Sequence, residues 1–282
     1  MNCWYDGTIC SVEDIRISPL DHGFLYGLGF FETFRTYEGK IPFWSLHWER
    51  LMRAMRDYRI ELPYNEHELK RAVFALYEEA GEDLYIRLNI TAGEEGIGLR
   101  PKRYTSPHVL IFSKPLEVAP RGTEKDGFIL NTRRNTRESD VRHKSHNYAN
   151  NVRGRLELDS LKESEGIFLT EEGFVAEGVT SNVFWTRRGE LFTPSVETGA
   201  LEGTTRRVLL ELAPMLDISH HIGAYSVEEL LRADEVFVTN AIQEVVPLKS
   251  LNGRKLLGRD GHFYKMLHTA YIEQLQKELD ES

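Results

Sequence analysis

Lys144 is the residue whose neighbours in the chain first suggest chemistry. It lies in Arg142-His143-Lys144-Ser145-His146-Asn147-Tyr148, with Arg133, Arg134, Arg137 and Arg153 close by, in a chain of net charge −9. Nearby cations favour the neutral form of an amine. A neutral lysine can condense with an aldehyde to a Schiff base and can afterwards carry protons. A solvated basic face, the ordinary use of an Arg-rich stretch, is as open on this segment alone.

Further stretches could hold an anion or a charged ring. Gly203-Thr204-Thr205 opens a helix, where free N–H groups, the positive dipole end and a hydroxyl suit a phosphate. Thr239-Asn240-Ala241 ends a strand in a turn with similar donors. Either is also what a plain capped helix or strand end looks like. Arg50, in His47-Trp48-Glu49-Arg50-Leu51, has the fork geometry that phosphate prefers, although a lone helical arginine is usually solvated. Glu177 falls mid-strand before Gly178, and strand interiors rarely hold a carboxylate without a partner. Tyr85 and Arg87 share one face of the strand Leu84–Ile90, an arrangement fit for a carboxylate clamp or for an ordinary exposed face.

The elements that must position these groups follow from periodicity. Tyr5-Asp6-Gly7 signals a hairpin, and Ile15-Arg16-Ile17 alternates up to Pro19. The run from Ser18 to Gly29 sets three glycines among aromatics, a buried loop leading to a strand with Phe31, Thr33 and Arg35 on one face. Helices are predicted over Ser45–Tyr58 and from a capping box at Asn65 and Glu68 to Gly81. Pro and Gly residues mark a linker over 115–125, between a first domain over 1–114 and a second over 126–282 that carries Lys144. The second half reads as strands near 127–131, 166–178, 182–192 and 235–239. Helices there fall between Asn147 and Lys162 with Val152, Leu156 and Leu158 inward, after Arg206, after Ser226, and over Asp260–Leu279. This is a two-domain α+β pattern.

Bulk properties narrow the classes. With 41% hydrophobic and 28% charged residues and no bilayer-length apolar run, the chain reads as globular. The start MNCWYDGTIC lacks a secretion signal, so Cys3 and Cys10 are expected as reduced thiols of a cytoplasmic protein, although a hairpin could bring them together. The acidic balance argues against nucleic acid as partner, and the local basic cluster argues for a small anionic ligand.

Taken together, HWERL around Arg50, KSHNY at Lys144, EGVTSN over 177–182, LEGTTR over 201–206 and FVTNAIQEVVP around Asn240 resemble the fold-type IV pyridoxal-phosphate enzymes. That family contains branched-chain and D-amino acid aminotransferases and 4-amino-4-deoxychorismate lyases. The resemblance implies a small N-terminal α/β domain, a larger C-terminal pseudo-barrel with pyridoxal 5'-phosphate between them, and a homodimer whose site borrows a loop from the partner. It implies Lys144 as Schiff-base lysine and proton shuttle, and Glu177 facing the pyridine nitrogen. Leu201 would lie on the ring face. Arg50, Gly203, Thr204, Thr205, Thr239, Asn240 and Ala241 would surround the phosphate, with Ser181 and Asn182 also at the cofactor. No residue is assigned to a metal.

Within the family, Ile97 and Leu99 stand where D-specific aminotransferases carry an arginine and a histidine. Branched-chain aminotransferases share the Tyr85-Ile86-Arg87 pattern. SPLDHGFLYGLGFFETFRTYEG, RLNITAGEEGIGL and LTEEGFVAEGVTSNVFW look most similar to the lyases of Gram-positive bacteria. There Thr33 matches a threonine thought to assist elimination, and Tyr85 and Arg87 become candidates for a substrate carboxylate. No spacing separates elimination from amino transfer.

Overall fold

The structure is a computed structural model that describes residues 1–99, 103–160 and 162–281. Its contacts divide the chain into two units, Met1–Glu117 with His143–Asn147 and Lys277–Ser282, and Val118–Arg142 with Tyr148–Gln276.

The first unit contains β1 (Asn2–Tyr5), β2 (Thr8–Ser11), α1 (His22–Tyr26), β3 (Gly29–Arg35), α2 (Trp44–Asp57), α3 (Glu66–Ala80), β4 (Leu84–Thr91) and β5 (His108–Pro115). Among the described residues the strands form one antiparallel sheet in the order β2-β1-β5-β4-β3. Alternation in β4 buries Leu84, Ile86, Leu88 and Ile90. Leu51 and Met55 of α2 join the same core as Leu69, Val73 and Leu76 of α3. Each such side chain contributes roughly 1.5–3 kcal/mol on burial. The capping box forms as the sequence predicts, with Glu68 N donating to Asn65 Oδ1 at 3.1 Å and Asn65 N to Glu68 Oε2 at 2.7 Å. Ile15–Ile17 does not form a strand despite its alternation. Cys3 and Cys10 face each other in the first hairpin as free thiols, Sγ to Sγ 4.0 Å, and burial pushes the Cys3 thiol up to about 11.

Lys144 groups with this unit, not with the 126–282 stretch to which the sequence assigns it. The reason is a short antiparallel pairing with β3. Phe31 N donates to Lys144 O, His146 N donates to Gly29 O, both at 2.9 Å, and Phe30 bridges Ser145. Gly29 permits the approach, because a Cβ there would lie 2.4 Å from the His146 ring.

The second unit contains β6 (Lys125–Ile129), α4 (Ala149–Arg155), β7 (Ser164–Leu169), β8 (Val175–Gly178), β9 (Asn182–Arg187), β10 (Glu190–Pro194), α5 (Thr204–Met215), β11 (His220–Gly223), α6 (Val227–Leu231), β12 (Glu235–Asn240), β13 (Glu244–Leu251), β14 (Arg254–Lys255) and most of α7 (His262–Glu281). Its strands run in the order β11-β10-β9-β12-β13-β6-β7-β8, with β14 on β13. Val183 and Trp185 of β9, Val236 and Val238 of β12 and Leu248 of β13 share one core. The helix expected between Asn147 and Lys162 is cut to seven residues, and Val152 and Leu156 face outward, 52% and 71% exposed. Only Leu158 of that predicted stripe is buried, in a separate cluster with Phe168. Among the described residues no helix is long and apolar enough to cross a membrane, and no His, Cys, Asp and Glu group could hold a metal.

Candidate active site

The candidate residues fall into two groups, one in each unit. In the first, the pairing with β3 fixes the Lys144 backbone, and Lys144 Nζ lies 4.6 Å from the centroid of the buried Phe31 ring. The Arg87 guanidinium lies 3.6 Å from the same centroid. A cation so placed is attracted to the ring quadrupole by about 0.5–2 kcal/mol. Arg87 is therefore the cation that shares a ring with Lys144 in space. Arg87 Nε also donates to Asn89 Oδ1 at 3.1 Å, and His146 Nε2 reaches that oxygen at 3.3 Å. Burial, and then the Arg87 charge, bring His146 down to about 4, so its imidazole is neutral near pH 7. Thr33 stands opposite Arg87 in the β3–β4 register. Tyr85 is drawn to Lys114, whose Nζ is 4.9 Å from its ring, so the clamp expected of Tyr85 with Arg87 has separate partners for its two members.

Arg50 enters a buried cluster that sequence reasoning did not identify. Its Nε and Nη2 donate to Glu32 Oε1 and Oε2 at 2.8 and 2.6 Å, and His47 Nδ1 meets Glu32 Oε2 at 2.7 Å. His47 and Arg50 are three apart on α2 and so share a helix face, and Glu32 is a carboxylate in the apolar strand GFFETFR. Those two signals could have located it. Burial alone would raise the Glu32 pKa, but Arg50 and then His47 outweigh it and hold the carboxyl down to about 2. A carboxyl depressed from its usual value adds stability that is complete above about 4.5 and fades as the pH falls toward about 2, here about 3 kcal/mol in all. The stability gap between the parent and Glu32→Gln, measured by urea unfolding, should therefore narrow from pH 5 to pH 3. A gap that stays constant would remove the charge from the account.

In the second unit, Glu177 of β8 is 5% exposed, and both its oxygens are held. Arg134 Nε donates to Oε1 and Leu201 N to Oε2, each at 2.8 Å. Arg134 Nη1 donates onward to Asn150 Oδ1 at 2.6 Å and Asn151 Oδ1 at 3.2 Å, and Asn151 Nδ2 to Val179 O at 2.7 Å. Arg142 bonds the Gly199 and Asn135 carbonyls, and burial followed by the charge of Arg134 lowers it to about 10. Two of the arginines that crowd Lys144 in the sequence, Arg134 and Arg142, thus hold Glu177 and its surrounding loops. A mid-strand Glu with a nearby Arg is the sequence signal of this pair.

Asn182 ties the remaining residues together. Its Nδ2 donates to Leu201 O at 2.7 Å, and it stands opposite Thr239 in the β9–β12 register. A Cβ on Gly203 would come 2.0 Å from Asn182 Oδ1, so only glycine lets α5 begin there. That helix has no side-chain cap at Gly203, and Thr204 and Thr205 are buried in its first turn. The Thr239 hydroxyl is buried without a hydrogen-bond partner, and the buried Ser181 hydroxyl lies against Glu165. Asn240 Oδ1 accepts from Ile242 N and Gln243 N at 3.0 and 2.7 Å, so this oxygen holds the turn at Ala241. The group therefore pairs a buried carboxylate with an uncapped helix start and a spare hydroxyl, fit for a cationic ring nitrogen and a phosphate.

A family model described as amino-transferase class IV matches residues 29–251. An aminodeoxychorismate lyase of Bacillus subtilis (strain 168) is 38% identical over 281 residues, covering 99% of this chain and 96% of the relative. The crystal structure of 4-amino-4-deoxychorismate lyase from Pseudomonas aeruginosa superposes with a TM-score of 0.85 at 27% identity, over 97% of this chain and 99% of that one. A branched-chain amino acid aminotransferase from T.th., solved with pyridoxamine 5'-phosphate, gives a TM-score of 0.84 at 27% identity, over 96% and 93% of the two chains.

Proposed function

The chain belongs to the class IV aminotransferase family, and from that premise we propose that it is a lyase converting 4-amino-4-deoxychorismate to 4-aminobenzoate and pyruvate, a step of folate biosynthesis. The observation that carries this reading is the 38% identity to a lyase of that substrate across 99% of the chain. Its cofactor is pyridoxal 5'-phosphate, and the residues present fit it. The partnerless Thr239 hydroxyl and the uncapped start of α5 suit the phosphate, and the buried Glu177 suits a protonated ring nitrogen.

When bound, the cofactor supplies an electron sink for a carbanion next to the substrate amine. Glu177 accepts one hydrogen bond each from Arg134 Nε and Leu201 N, and a carboxylate has about four acceptor sites, which leaves capacity for the ring nitrogen. On this reading Arg50, Thr205, Thr204, Gly203 and the Asn240-Ala241 turn would hold the phosphate, Leu201 would pack on the ring, and Ser181 and Asn182 would complete the surround. Glu32 and His47 fix Arg50 in orientation. Lys144 would hold the cofactor through its amine and, once released, would take the proton from the ring carbon bearing the substrate amine. The C–O bond to the enolpyruvyl group breaks as the ring becomes aromatic, and the departing enolpyruvate gains a proton to become pyruvate. Thr33, on the strand that carries Phe31, would assist, and Arg87, with Tyr85 as the second candidate, would meet a substrate carboxylate.

The same reading takes the enzyme as a cytoplasmic homodimer. Ile97 and Leu99, 81% and 74% exposed after β4, support a loop that a second subunit covers. Amino transfer on a branched-chain amino acid is the rival. Purified enzyme with 4-amino-4-deoxychorismate and no keto acid should release 4-aminobenzoate and pyruvate in equal amounts. Turnover of leucine with 2-oxoglutarate, without 4-aminobenzoate, would replace the lyase with the aminotransferase.

A further inference from the structure

Where α2 ends, a cleft of about 500 Å³ opens among Met52, Met55, Arg56, Arg59, Ile60, Glu61 and Arg103. All these residues belong to the first unit. None is among the residues used above for cofactor or substrate. The cleft is built by the way the chain leaves the helix. Arg59 takes a left-handed conformation, φ 55°, which turns the chain so that Ile60 pairs with Tyr104. Tyr104 N donates to Arg59 O and Glu61 N to Tyr104 O, both at 2.9 Å, which fixes 59–61 against 103–104.

The lining has two characters. Met55 and Ile60 are buried, and with Met52 they form an apolar floor, two of whose members are thioethers able to mould to a ring. Arg56, Arg59 and Arg103 supply three guanidinium groups. Glu61 is taken up by Arg103 at 3.2 Å. Among the described residues no carboxylate pairs with Arg56 or Arg59, which is notable in a chain of net charge −9. Pockets for small organic molecules run from about 300 to 1,000 Å³ and join an apolar lining to a few placed polar groups. The planar guanidinium fork matches carboxylate and phosphate oxygens bidentately.

We propose that this cleft is a second ligand site, one that takes a small organic anion with a carboxylate or phosphate head on an apolar ring. The head meets Arg56 and Arg59, and the ring lies on Met52, Met55 and Ile60. The site adjoins the Lys144 segment, because Asp57, the last residue of α2 and between Arg56 and Arg59 in the chain, brings its Oδ2 to 2.9 Å from Nε2 of His143, one residue before Lys144. An anion held by Arg56 and Arg59 sits beside that pair, so occupancy is expected to alter turnover without competing for substrate.

The test is calorimetric titration of the cofactor-loaded full chain with benzoate, phenyl phosphate, benzyl alcohol and inorganic phosphate, in parallel with the variant Arg56→Glu/Arg59→Glu. These positions are exposed, so the variant should fold, which its unfolding temperature checks. Benzoate or phenyl phosphate should saturate one site per chain in this cleft and bind at least tenfold more tightly than benzyl alcohol or inorganic phosphate. Whichever of the two binds identifies the head group. The double variant should lose at least tenfold in that affinity and keep its turnover in the absence of the anion. Equal binding of benzoate and benzyl alcohol, or an affinity unchanged in the variant, would overturn the proposal. So would absence of any saturable binding with a variant of altered sedimentation, which would make the cleft an interface between copies.

Discussion

Lys144→Ala is expected to reduce turnover by about 10²- to 10⁴-fold, the range for removal of a positioned proton carrier, and to remove the visible absorption of lysine-bound pyridoxal 5'-phosphate. The fold should survive. What joins this segment to β3 is main chain, from Phe31 N to Lys144 O and from His146 N to Gly29 O, and a side-chain substitution leaves those bonds in place. Lys144→Arg is the sharper companion. It keeps a cation near the Phe31 ring, but a guanidinium stays protonated and cannot condense with an aldehyde. Both variants should unfold within about 1 kcal/mol of the parent when cofactor is absent, because neither empties a core position or strands a carboxylate. Turnover above a tenth of the parental rate in either would take the covalent role away from Lys144.

The part of the fold that could be read in advance is the part fixed by local chemistry. Asn65 and Glu68 announce α3 because two orphan N–H groups are satisfied within four residues. The hairpins at Glu171–Gly173 and Arg187–Gly189 follow from turn residues between apolar runs. Val152 and Leu156 show where such reasoning stops. Their spacing is helical, yet the helix ends at Arg155 and both are exposed, and periodicity cannot tell which faces the rest of the chain will cover.

The candidate residues divide in the same way. Lys144 and Glu177 were legible by type, since a lysine in a basic motif and a carboxylate in a strand interior each demand a reason. Their partners were not. Arg134 looked like one more cation around Lys144, whereas it holds Glu177. Glu32 carries the same mark as Glu177, an acid inside an apolar strand, and it becomes legible only with His47 and Arg50 spaced on the facing helix.

The pairing of Glu177 with Arg134 yields the second large effect. Glu177→Gln should lower the stability of the cofactor-free protein by about 3 kcal/mol, because it leaves the Arg134 guanidinium buried without a countercharge. An amide can still accept from Arg134 Nε or Leu201 N, so geometry is largely kept and charge is what changes. Under the proposed function turnover should fall by about 10²-fold or more, since the negative charge that would favour a protonated ring nitrogen is gone. The two consequences separate in Glu177→Gln/Arg134→Met. There the stranded cation is removed, and part of the lost stability should return in urea unfolding, short of full recovery because Asn150 and Asn151 lose their donor. Turnover should not return, because under the proposed function the ring would then lack its carboxylate. A double variant no more stable than Glu177→Gln would show that the cost lies outside the ion pair. Recovery of turnover with stability would show that Glu177 acts through the fold rather than on the cofactor.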